Sequence, residues 1–363
     1  MAQDITPRIT QTGVLLGYLP TLVSLTGGSY RLGGPAQAQR KIQDFCNRQP
    51  SLRSLQSKSS FESGKRRKEQ GVETKERLNI ELVPTVAQHV SELGRICFEA
   101  FKDLQDRSCG TRDFPSMEIA QQVLGMLVQR DDFYSVSALD AGRVVGSNFL
   151  SLMDPVAGVG PITVDPSYQG QGVGRALMQN VMDYAQHNNI EQVRLFHDSF
   201  NVASLSLYAS LGFDVKDSVA LMQATPAAEA DNNVRSIAEP DLPAIEEIST
   251  RIYKNSRRNE VAAAAPHGFA AFLRERQGRV TGYLLPGNFG HGVAETEEDA
   301  LALVGEAARH LPPEAARFFC PLSEGSFYRK ALQAGCRTIK VMNYMVLGPY
   351  EHPDEVWMPS VLY

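Results

Sequence analysis

A glycine-rich stretch between a predicted strand and a predicted helix contains the residues whose types and spacing point most directly to chemistry. It reads Val164-Asp-Pro-Ser-Tyr-Gln-Gly-Gln-Gly-Val-Gly-Arg175. The apolar run Gly160-Pro-Ile-Thr-Val164 before it predicts a buried strand. The apolar residues after it recur every three or four positions, which predicts an amphipathic helix: Val173, Leu177, Val181 and Tyr184. Because amides at a helix N-terminus and the helix dipole favour phosphate, this loop is expected to bind a phosphorylated cofactor.

Spacing narrows the class of cofactor. A dinucleotide fingerprint needs G-x-G-x-x-G, and its third glycine would fall on Arg175 or Leu177. A nucleoside-triphosphate loop needs a lysine, and none lies near these glycines. What remains is Gln169-x-x-Gly172-x-Gly174. This pattern resembles the coenzyme A loop of the GCN5-related N-acetyltransferase (GNAT) superfamily, which lies after a strand and before a helix.

A second motif further along the chain also resembles this family. It begins at Asn201, continues through a short predicted helix with Leu207 and Tyr208, and closes on Gly212 and Phe213. Gly212 suits a helix C-cap that requires a positive φ. The resemblance covers about residues 78–225. It implies the mixed α/β fold of a GNAT acyl-CoA N-acyltransferase.

The resemblance implies acetyl-CoA as the co-substrate. The amides of Gly170 to Arg175 would hold its pyrophosphate, and the backbone of Ile162 to Val164 would align and polarise the thioester carbonyl. Tyr208 is the candidate acid for the leaving thiolate, because the family often has a tyrosine there and a phenol near pKa 10 can donate a proton. Alternatively, Tyr208 only packs under the cofactor. The predicted cofactor-binding residues, with no metal ligand among them, are Ile162, Thr163, Val164, Gln169, Gly170, Gln171, Gly172, Val173, Gly174, Arg175, Asn201 and Ser204.

Several of these residues have a structural alternative. Asn201 would bond the pantetheine arm or the loop backbone, would cap the helix that carries Tyr208, or would do both. Ser204, one turn on, is expected to face the cofactor phosphates. Gln169 is expected to brace the loop, and Asp165 with Pro166 to form the turn into it.

The sequence identifies no general base. Asp154 precedes the glycine-loop strand, and His197 and Asp198 follow the next predicted strand. Isolated residues at strand ends more often make structural hydrogen bonds. The resemblance allows a chain of water molecules in place of a side chain.

The predicted elements of residues 78–225 follow the order β-α-α-β-β-β-α-β-α-β, as expected of the resembled fold. Ser116 is predicted to cap the second helix, and residues 140–143 to turn between two strands of a hairpin. By composition, a linker follows at residues 226–232.

The plan then repeats loosely over residues 233–350, which predicts two tandem copies. Gly278-Arg-Val-Thr-Gly282 corresponds to Gly142-Arg-Val-Val-Gly146, and Ser326-Phe-Tyr328 to Ser206-Leu-Tyr208. The second copy is expected to be degenerate. Its equivalent helix start, which Thr296 can cap, is crowded with acidic residues that would repel a pyrophosphate, although they also suit the helix dipole: Glu295, Glu297, Glu298 and Asp299.

Composition bounds the two ends of the chain. Residues 1–77 show no sustained period and predict a disordered basic tail, since residues 1–78 hold 13 Lys and Arg against 6 Asp and Glu. The remaining residues carry a formal charge of −12, which together with +7 in residues 1–78 gives the net charge of −5. This acidic balance disfavours nucleic acid as a partner of the folded domains. The C-terminal tail comprises residues 351–363; its part from Val356 to Tyr363 is unusually apolar for an end and is predicted to dock on a domain.

The five cysteines are scattered and odd in number, which predicts reduced thiols in a cytoplasmic protein. No apolar run reaches the roughly 20 residues of a membrane helix, so no membrane partner is expected.

The sequence therefore predicts an enzyme, an N-acetyltransferase that moves an acetyl or other acyl group from acetyl-CoA to a primary amine by direct attack. The acceptor, a small molecule or a peptide, stays unidentified, as does the oligomeric state. The alternative is a non-catalytic regulatory module that binds acyl-CoA, and it would share every residue of the loop.

Overall fold

From residue 79 onward the chain consists of two series of elements that follow the same order. The structure, a computed structural model, describes residues 79–108, 112–266 and 268–362, and these belong to one compact unit. The predicted basic tail over residues 1–77 lies outside the described residues. None of the described helices combines the length and the hydrophobicity that crossing a membrane requires.

The first series has seven strands and four helices in the predicted order, with the fourth predicted strand in two pieces. Its elements are β1 (Ile80–Pro84), α1 (Val90–Ser108), α2 (Met117–Val128), β2 (Phe133–Asp140), β3 (Arg143–Ser151), β4 (Ala157–Val159), β5 (Thr163–Val164), α3 (Val173–His187), β6 (Val193–Asp198), α4 (Val202–Ser210) and β7 (Asp214–Gln223).

The second series repeats this order with four helices and a final short strand. Its elements are β8 (Val234–Ser236), α5 (Leu242–Tyr253), α6 (Arg258–Ala264), β9 (Phe272–Arg276), β10 (Arg279–Leu284), β11 (Gly292–Ala294), α7 (Glu297–His310), β12 (Arg317–Pro321), α8 (Gly325–Gln333), β13 (Arg337–Leu347) and β14 (Val356–Met358).

Local sequence signals explain several element boundaries. The Ser116 hydroxyl accepts a hydrogen bond from the Ile119 amide and so caps α2, as predicted. The β2–β3 hairpin turns at Ala141 and Gly142, both with positive φ, which matches the right-handed twist of its strands. The β9–β10 hairpin turns at Gln277 and Gly278 with nearly the same φ angles, 55° and 73° against 48° and 81°. The two hairpins are therefore equivalent, as the repeated sequence predicts.

The prediction of one continuous strand over Gly160–Val164 is wrong. Strand β4 ends at Val159, and only Thr163 and Val164 return to the sheet as β5. Pro161 has no amide hydrogen to donate, so the ladder cannot run through it. Up to Val159 the strand pairs in parallel with β6, whereas β5 pairs only with β3 among the described strands. The outer edge of β5 is therefore open.

The two copies exchange their last strands. The large sheet has the order β1-β2-β3-β4-β6-β13-β7-β12, with β5 beside β3. Thus β13, from the second copy, lies between β6 and β7 of the first, and β7 in turn pairs with β12 of the second. The side chains of β7 belong to the second copy's core, where Met222 shares a buried cluster with Leu303 and Leu221 shares another with Ile245. The predicted boundaries 78–225 and 233–350 therefore divide the sequence but do not divide the sheet.

The C-terminal segment is docked. Strand β14 pairs with β11, and the Trp357 side chain is fully buried beside Tyr253 and Tyr344, with ring centroids 5.7 and 5.6 Å away. Five residues after Trp357, Leu362 joins the core of the first copy formed by α1, α2 and their strands. The segment thus contacts both copies.

Replacing Trp357 with alanine tests this docking. We expect the free energy of unfolding to fall by about 3–5 kcal/mol, because a large buried side chain leaves a cavity between β11 and the helices. Chemical denaturation followed by circular dichroism measures the change. Trp357→Phe is the control and should lose less; a loss below about 1 kcal/mol for Trp357→Ala would show that the segment is not part of the core.

Candidate functional site

The glycine-rich loop has the geometry of an anion-binding helix start. Gly170 and Gly172 lie in the left-handed region, with φ of 71° and 90°, and a side chain on either would point into open space. Gly172 is the N-cap of α3, whose first turn contains no acidic residue. The first amides of a helix have no partner within the helix, so they are available to a ligand.

Side chains brace this loop from within. Gln169 donates from Nε2 to the Val164 carbonyl at 3.2 Å, and Gln171 donates to the Ser167 carbonyl at 2.8 Å. The buried Asp165 carboxylate accepts from the Ser167 amide at 3.0 Å and pairs with Arg95 at 2.8 Å. Burial works against the charge of Asp165, but these partners still hold its pKa below the usual value. Gln169 and Asp165 therefore shape the turn, as the sequence predicts.

The open edge of β5 lies directly before this loop. Gly146 pairs with Val164 and Ser147 with Thr163 on one side only. Ile162 and Val164 are half-buried, so their outer backbone groups can be reached. An extended ligand can add to such an edge as a further strand would.

The α4 helix brings three predicted residues together. The Asn201 side chain accepts from the Ser204 amide at 3.1 Å and caps the helix, as its structural alternative predicts. The hydroxyl of Ser204 hydrogen-bonds the phenol of Tyr208. Burial raises the pKa of Tyr208 to about 12, so its phenol is protonated at neutral pH. The positive φ of Gly212 ends this turn, as predicted.

The loop and the α4 helix are adjacent. Arg175, at the start of α3, donates from Nη2 to the Ser210 hydroxyl at 2.7 Å. A side-chain atom on Gly174 would lie 3.6 Å from the Leu207 side chain. The structure therefore brings the two sequence motifs, far apart in the chain, to one end of the sheet.

The three base candidates are all engaged elsewhere. Asp154 accepts from the amides of Asn259 and Glu260 at 3.1 and 3.2 Å and so caps α6 of the second copy. His197 donates from Nδ1 to the Asp198 carbonyl at 2.9 Å, and burial lowers its pKa, which favours the neutral ring. The Asp198 carboxylate pairs with Lys340 at 2.7 Å. None of them has a free, ionised group facing the loop.

Sequence analysis missed the partners of these residues in the second copy. Asn343 on β13 lies 3.3 Å from His197 Nε2, and Lys340 on the same strand contacts both Asp198 and Asp113. No local signal identifies them, because the exchanged strand brings residues together that lie more than 140 positions apart in the chain.

The register of the hairpins shows which part of the second copy corresponds to the open edge. Gly282 pairs with Ala294 as Gly146 pairs with Val164, so β11 corresponds to the segment that ends in β5. In the second copy the outer side of this strand is occupied, because β14 pairs along it. The chain's own C-terminal strand thus lies where the first copy has its free edge.

The loop that follows is shorter in the second copy. Leu177 lies twelve positions after Asp165, but Leu303 lies only eight positions after the corresponding Glu295. The predicted acidic residues are present at the helix start, yet each is paired with a cation. The pairs are Glu295 with Arg251 and Arg279, Asp299 with Arg274 and Arg276, and Glu297 and Glu298 with Lys330. The missing loop and the covered edge are therefore stronger evidence of degeneracy than the acidic charge.

The predicted match between Tyr328 and Tyr208 is wrong. Helices α4 and α8 both have nine residues, and each is followed two residues later by a left-handed glycine, Gly212 or Gly335. The amide of Phe213 bonds the Tyr208 carbonyl as the amide of Cys336 bonds that of Ala331. The buried Ala331 therefore corresponds to Tyr208, and the second copy has no phenol at that position.

Comparison with known proteins agrees with this geometry. Residues 98–213 match the model of the acetyltransferase (GNAT) family. These residues form a GNAT domain. The chain is similar to a mycothiol acetyltransferase of Renibacterium salmoninarum, with 38% identity over 72 residues, which is 20% of this chain and 21% of that protein. It is also similar to the [ribosomal protein bS18]-alanine N-acetyltransferase of Escherichia coli, with 42% identity over 53 residues, 15% of this chain and 36% of that protein.

The match thus spans between about a fifth and a third of these relatives. Solved structures extend the likeness of fold across both copies. A putative acetyltransferase from Pyrococcus horikoshii has a TM-score of 0.63 at 15% identity, covering 77% of this chain and 92% of that chain. A GCN5-related N-acetyltransferase from Sphaerobacter thermophilus has a TM-score of 0.52 at 16% identity, covering 76% and 98%. The mixed α/β fold in two GNAT copies is therefore confirmed.

The asymmetry between the two GNAT copies generates a binding test. We expect coenzyme A to bind once per chain, measured by calorimetry on the full chain, because only the first copy has the loop and the open edge. Gly172→Glu should weaken binding at least about 100-fold, since a carboxylate beside a phosphate costs about 4 kcal/mol.

Gly278→Glu is the matched control. It also puts a carboxylate on a left-handed glycine that faces open space, but in the second copy. It should bind coenzyme A as the unaltered chain does. Equal losses in both variants, or two molecules bound per chain, would contradict a single site in the first copy.

Proposed function

We propose that the first copy is an N-acetyltransferase that moves an acetyl group from acetyl-CoA to a primary amine. One observation carries this proposal: three features occur together in the first copy, and all three are replaced in the second. They are the left-handed glycine loop at the start of α3, the open edge of β5, and the buried phenol of Tyr208. A module that served only to hold the two copies together would need none of them.

The residues present fit the coenzyme. Amides from Gly170 to Arg175, including Gln171, Val173 and Gly174, would hold the pyrophosphate, and Gln169 would keep the loop in shape. The edge formed by Ile162, Thr163 and Val164 would pair with the extended pantetheine arm. Asn201 uses its side-chain oxygen for the helix cap, so its amide nitrogen is left to donate to that arm, and Ser204 would complete this wall. When bound, acetyl-CoA supplies the acetyl group as a thioester.

The same residues would promote the transfer. A backbone amide at the open edge would donate to the thioester carbonyl oxygen, a contact worth about 10²–10³ in rate. Tyr208 would protonate the departing sulfur, because its raised pKa keeps the phenol protonated until negative charge develops beside it. We assign removal of the amine proton to water, since Asp154, His197 and Asp198 are held by structural partners.

The acceptor is proposed only as a class, a small molecule or a peptide with a primary amine. The names of the two relatives refer to mycothiol and to an alanine of a ribosomal protein, so they agree on acetyl transfer without agreeing on a substrate. The acidic body of the chain favours a cationic acceptor. A cytoplasmic location remains our proposal, based on the scattered cysteines.

Tyr208→Phe separates an enzyme from a non-catalytic module that binds acyl-CoA. We expect the kcat for thiol release from acetyl-CoA to fall about 100-fold or more, the size of a general-acid contribution, while affinity for coenzyme A is unchanged. Thiol release is followed with a panel of amines: small amines, amino acids, aminoglycosides and peptides with free N-termini.

Tyr328→Phe is the control, because it removes a phenol from the corresponding helix of the second copy, and it should leave turnover unchanged. If the unaltered chain binds acetyl-CoA but releases no thiol with any amine, the regulatory module is the better description. If Tyr208→Phe turns over at the normal rate, Tyr208 is a packing residue.

A further inference from the structure

A buried ion cluster joins the two copies at the end of β6. Lys340 Nζ lies 2.7 Å from Asp198 Oδ1 and 2.9 Å from both carboxylate oxygens of Asp113. The side chains of Lys340 and Asp198 are only 8% and 3% exposed, so solvent screens their interaction little. Asp113 belongs to the connection between α1 and α2, Asp198 to β6 of the first copy, and Lys340 to the exchanged strand β13.

The cluster is connected to the proposed acyl-transfer site through Asp198. The backbone carbonyl of Asp198 accepts hydrogen bonds from the backbone amide of Asn201 and from His197 Nδ1, both at 2.9 Å. Asn201 caps the helix that carries Tyr208, and the His197 ring contacts the Tyr208 ring edge-on at 5.7 Å. A displacement of Asp198 would therefore move both the cap and a neighbour of the phenol.

Strand β13 makes a second contact at the same place. Asn343 lies 3.3 Å from His197 Nε2, and Asn343 and His197 are register partners across the β6–β13 ladder. One strand of the second copy thus contacts two consecutive residues at the end of β6. The degenerate copy therefore contacts the end of β6, beside the proposed site, although its own glycine loop and open strand edge are absent.

Electrostatics makes Lys340 hard to replace. Burial raises the pKa of Asp198, and the lysine beside it opposes that effect. The two carboxylates keep the pKa of Lys340 above its usual value although burial works against its charge. Without the lysine, the buried Asp198 carboxylate would lose its cation and would face the half-buried Asp113 carboxylate, which among the described residues keeps only the Gln105 side-chain amide at 2.7 Å as a donor. The connection between α1 and α2 would then separate from the end of β6.

We propose that Lys340 is a positioning residue for acyl transfer, by which the second copy holds Tyr208 and its helix in place in the first copy's site. It clamps Asp113, which lies between α1 and α2, to the end of β6, and so fixes the Asp198 carbonyl that bonds Asn201 and His197. This inference rests on the proposed function. It also gives the degenerate copy a defined part in the reaction.

The test uses the full chain with three variants. Lys340→Met keeps the length of the side chain but removes its charge, and Lys340→Arg restores the charge. Lys330→Met is the matched control, because Lys330 also bridges two carboxylates, Glu297 and Glu298, but entirely within the second copy. The readouts are the Kd for coenzyme A by calorimetry, and kcat and KM for whichever amine of the panel is acetylated fastest.

We expect Lys340→Met to lower kcat/KM for the amine at least about tenfold through a lower kcat, because Tyr208 is displaced, with the Kd for coenzyme A within about twofold of normal. Lys340→Arg should recover most of the loss, and Lys330→Met should behave as the unaltered chain. If Lys340→Met fails to fold, Asp113→Asn replaces it, since the Lys340–Asp198 pair survives there. That variant should show the same selective loss.

The outcomes separate this inference from the proposed function. An unaltered chain that binds coenzyme A but acetylates no amine overturns both. An active unaltered chain with unchanged amine kinetics in Lys340→Met or Asp113→Asn overturns the positioning role alone. Equal losses in coenzyme affinity and in amine kinetics, with no recovery in Lys340→Arg, would show a purely structural role and would also overturn it.

Discussion

The exchange of the last strands is the constraint on which the rest of the molecule depends. Strands β13 and β7 pair with each other along most of their length, and each also pairs with the neighbouring strand of the other copy. Separating the copies would break three ladders and leave edges of four strands unpaired, with amides and carbonyls that are buried in the intact sheet. Each copy therefore needs the other to complete its core, and the positions of β6 and of the site residues at its end follow from that pairing.

Around this shared sheet, the two copies keep equivalent hairpins and ion pairs but differ in the features that would contact a coenzyme. Asp165 with Arg143 and Glu295 with Arg279 are equivalent ion pairs beside equivalent hairpins. What differs is the set of features that would contact a coenzyme. An unpaired strand edge is a liability unless it is short or covered. In the first copy it is kept to the two residues of β5, and in the second copy β14 covers it.

Local signals in the sequence were enough for the parts of the fold that local physics determines. Ser116 caps α2, Gly212 ends the turn after α4, and the glycine loop precedes α3, all as predicted. The broken strand was missed because β-branched residues around Pro161 outweighed the missing amide. Tyr328 was wrongly matched to Tyr208 because the comparison used residue identity alone and did not align the ends of α4 and α8. Strand exchange, and with it Lys340 and Asn343, has no local signal, since nothing in β13 specifies which copy's strand it pairs with.

These constraints explain how a copy that lacks the glycine loop, the open edge and the buried phenol can still be indispensable. The helix start with paired acidic residues, the shortened loop and the covered edge all lie within the second copy. Strand β13 is different, because its backbone completes the first copy's sheet and its side chains meet His197, Asp198 and Asp113. Substitution is therefore far less costly in the second copy's loop than along β13, where a change alters the sheet and the wall of the neighbouring site together. The second copy can lose its loop without disturbing the first copy's sheet. It cannot lose β13, because that strand completes the sheet.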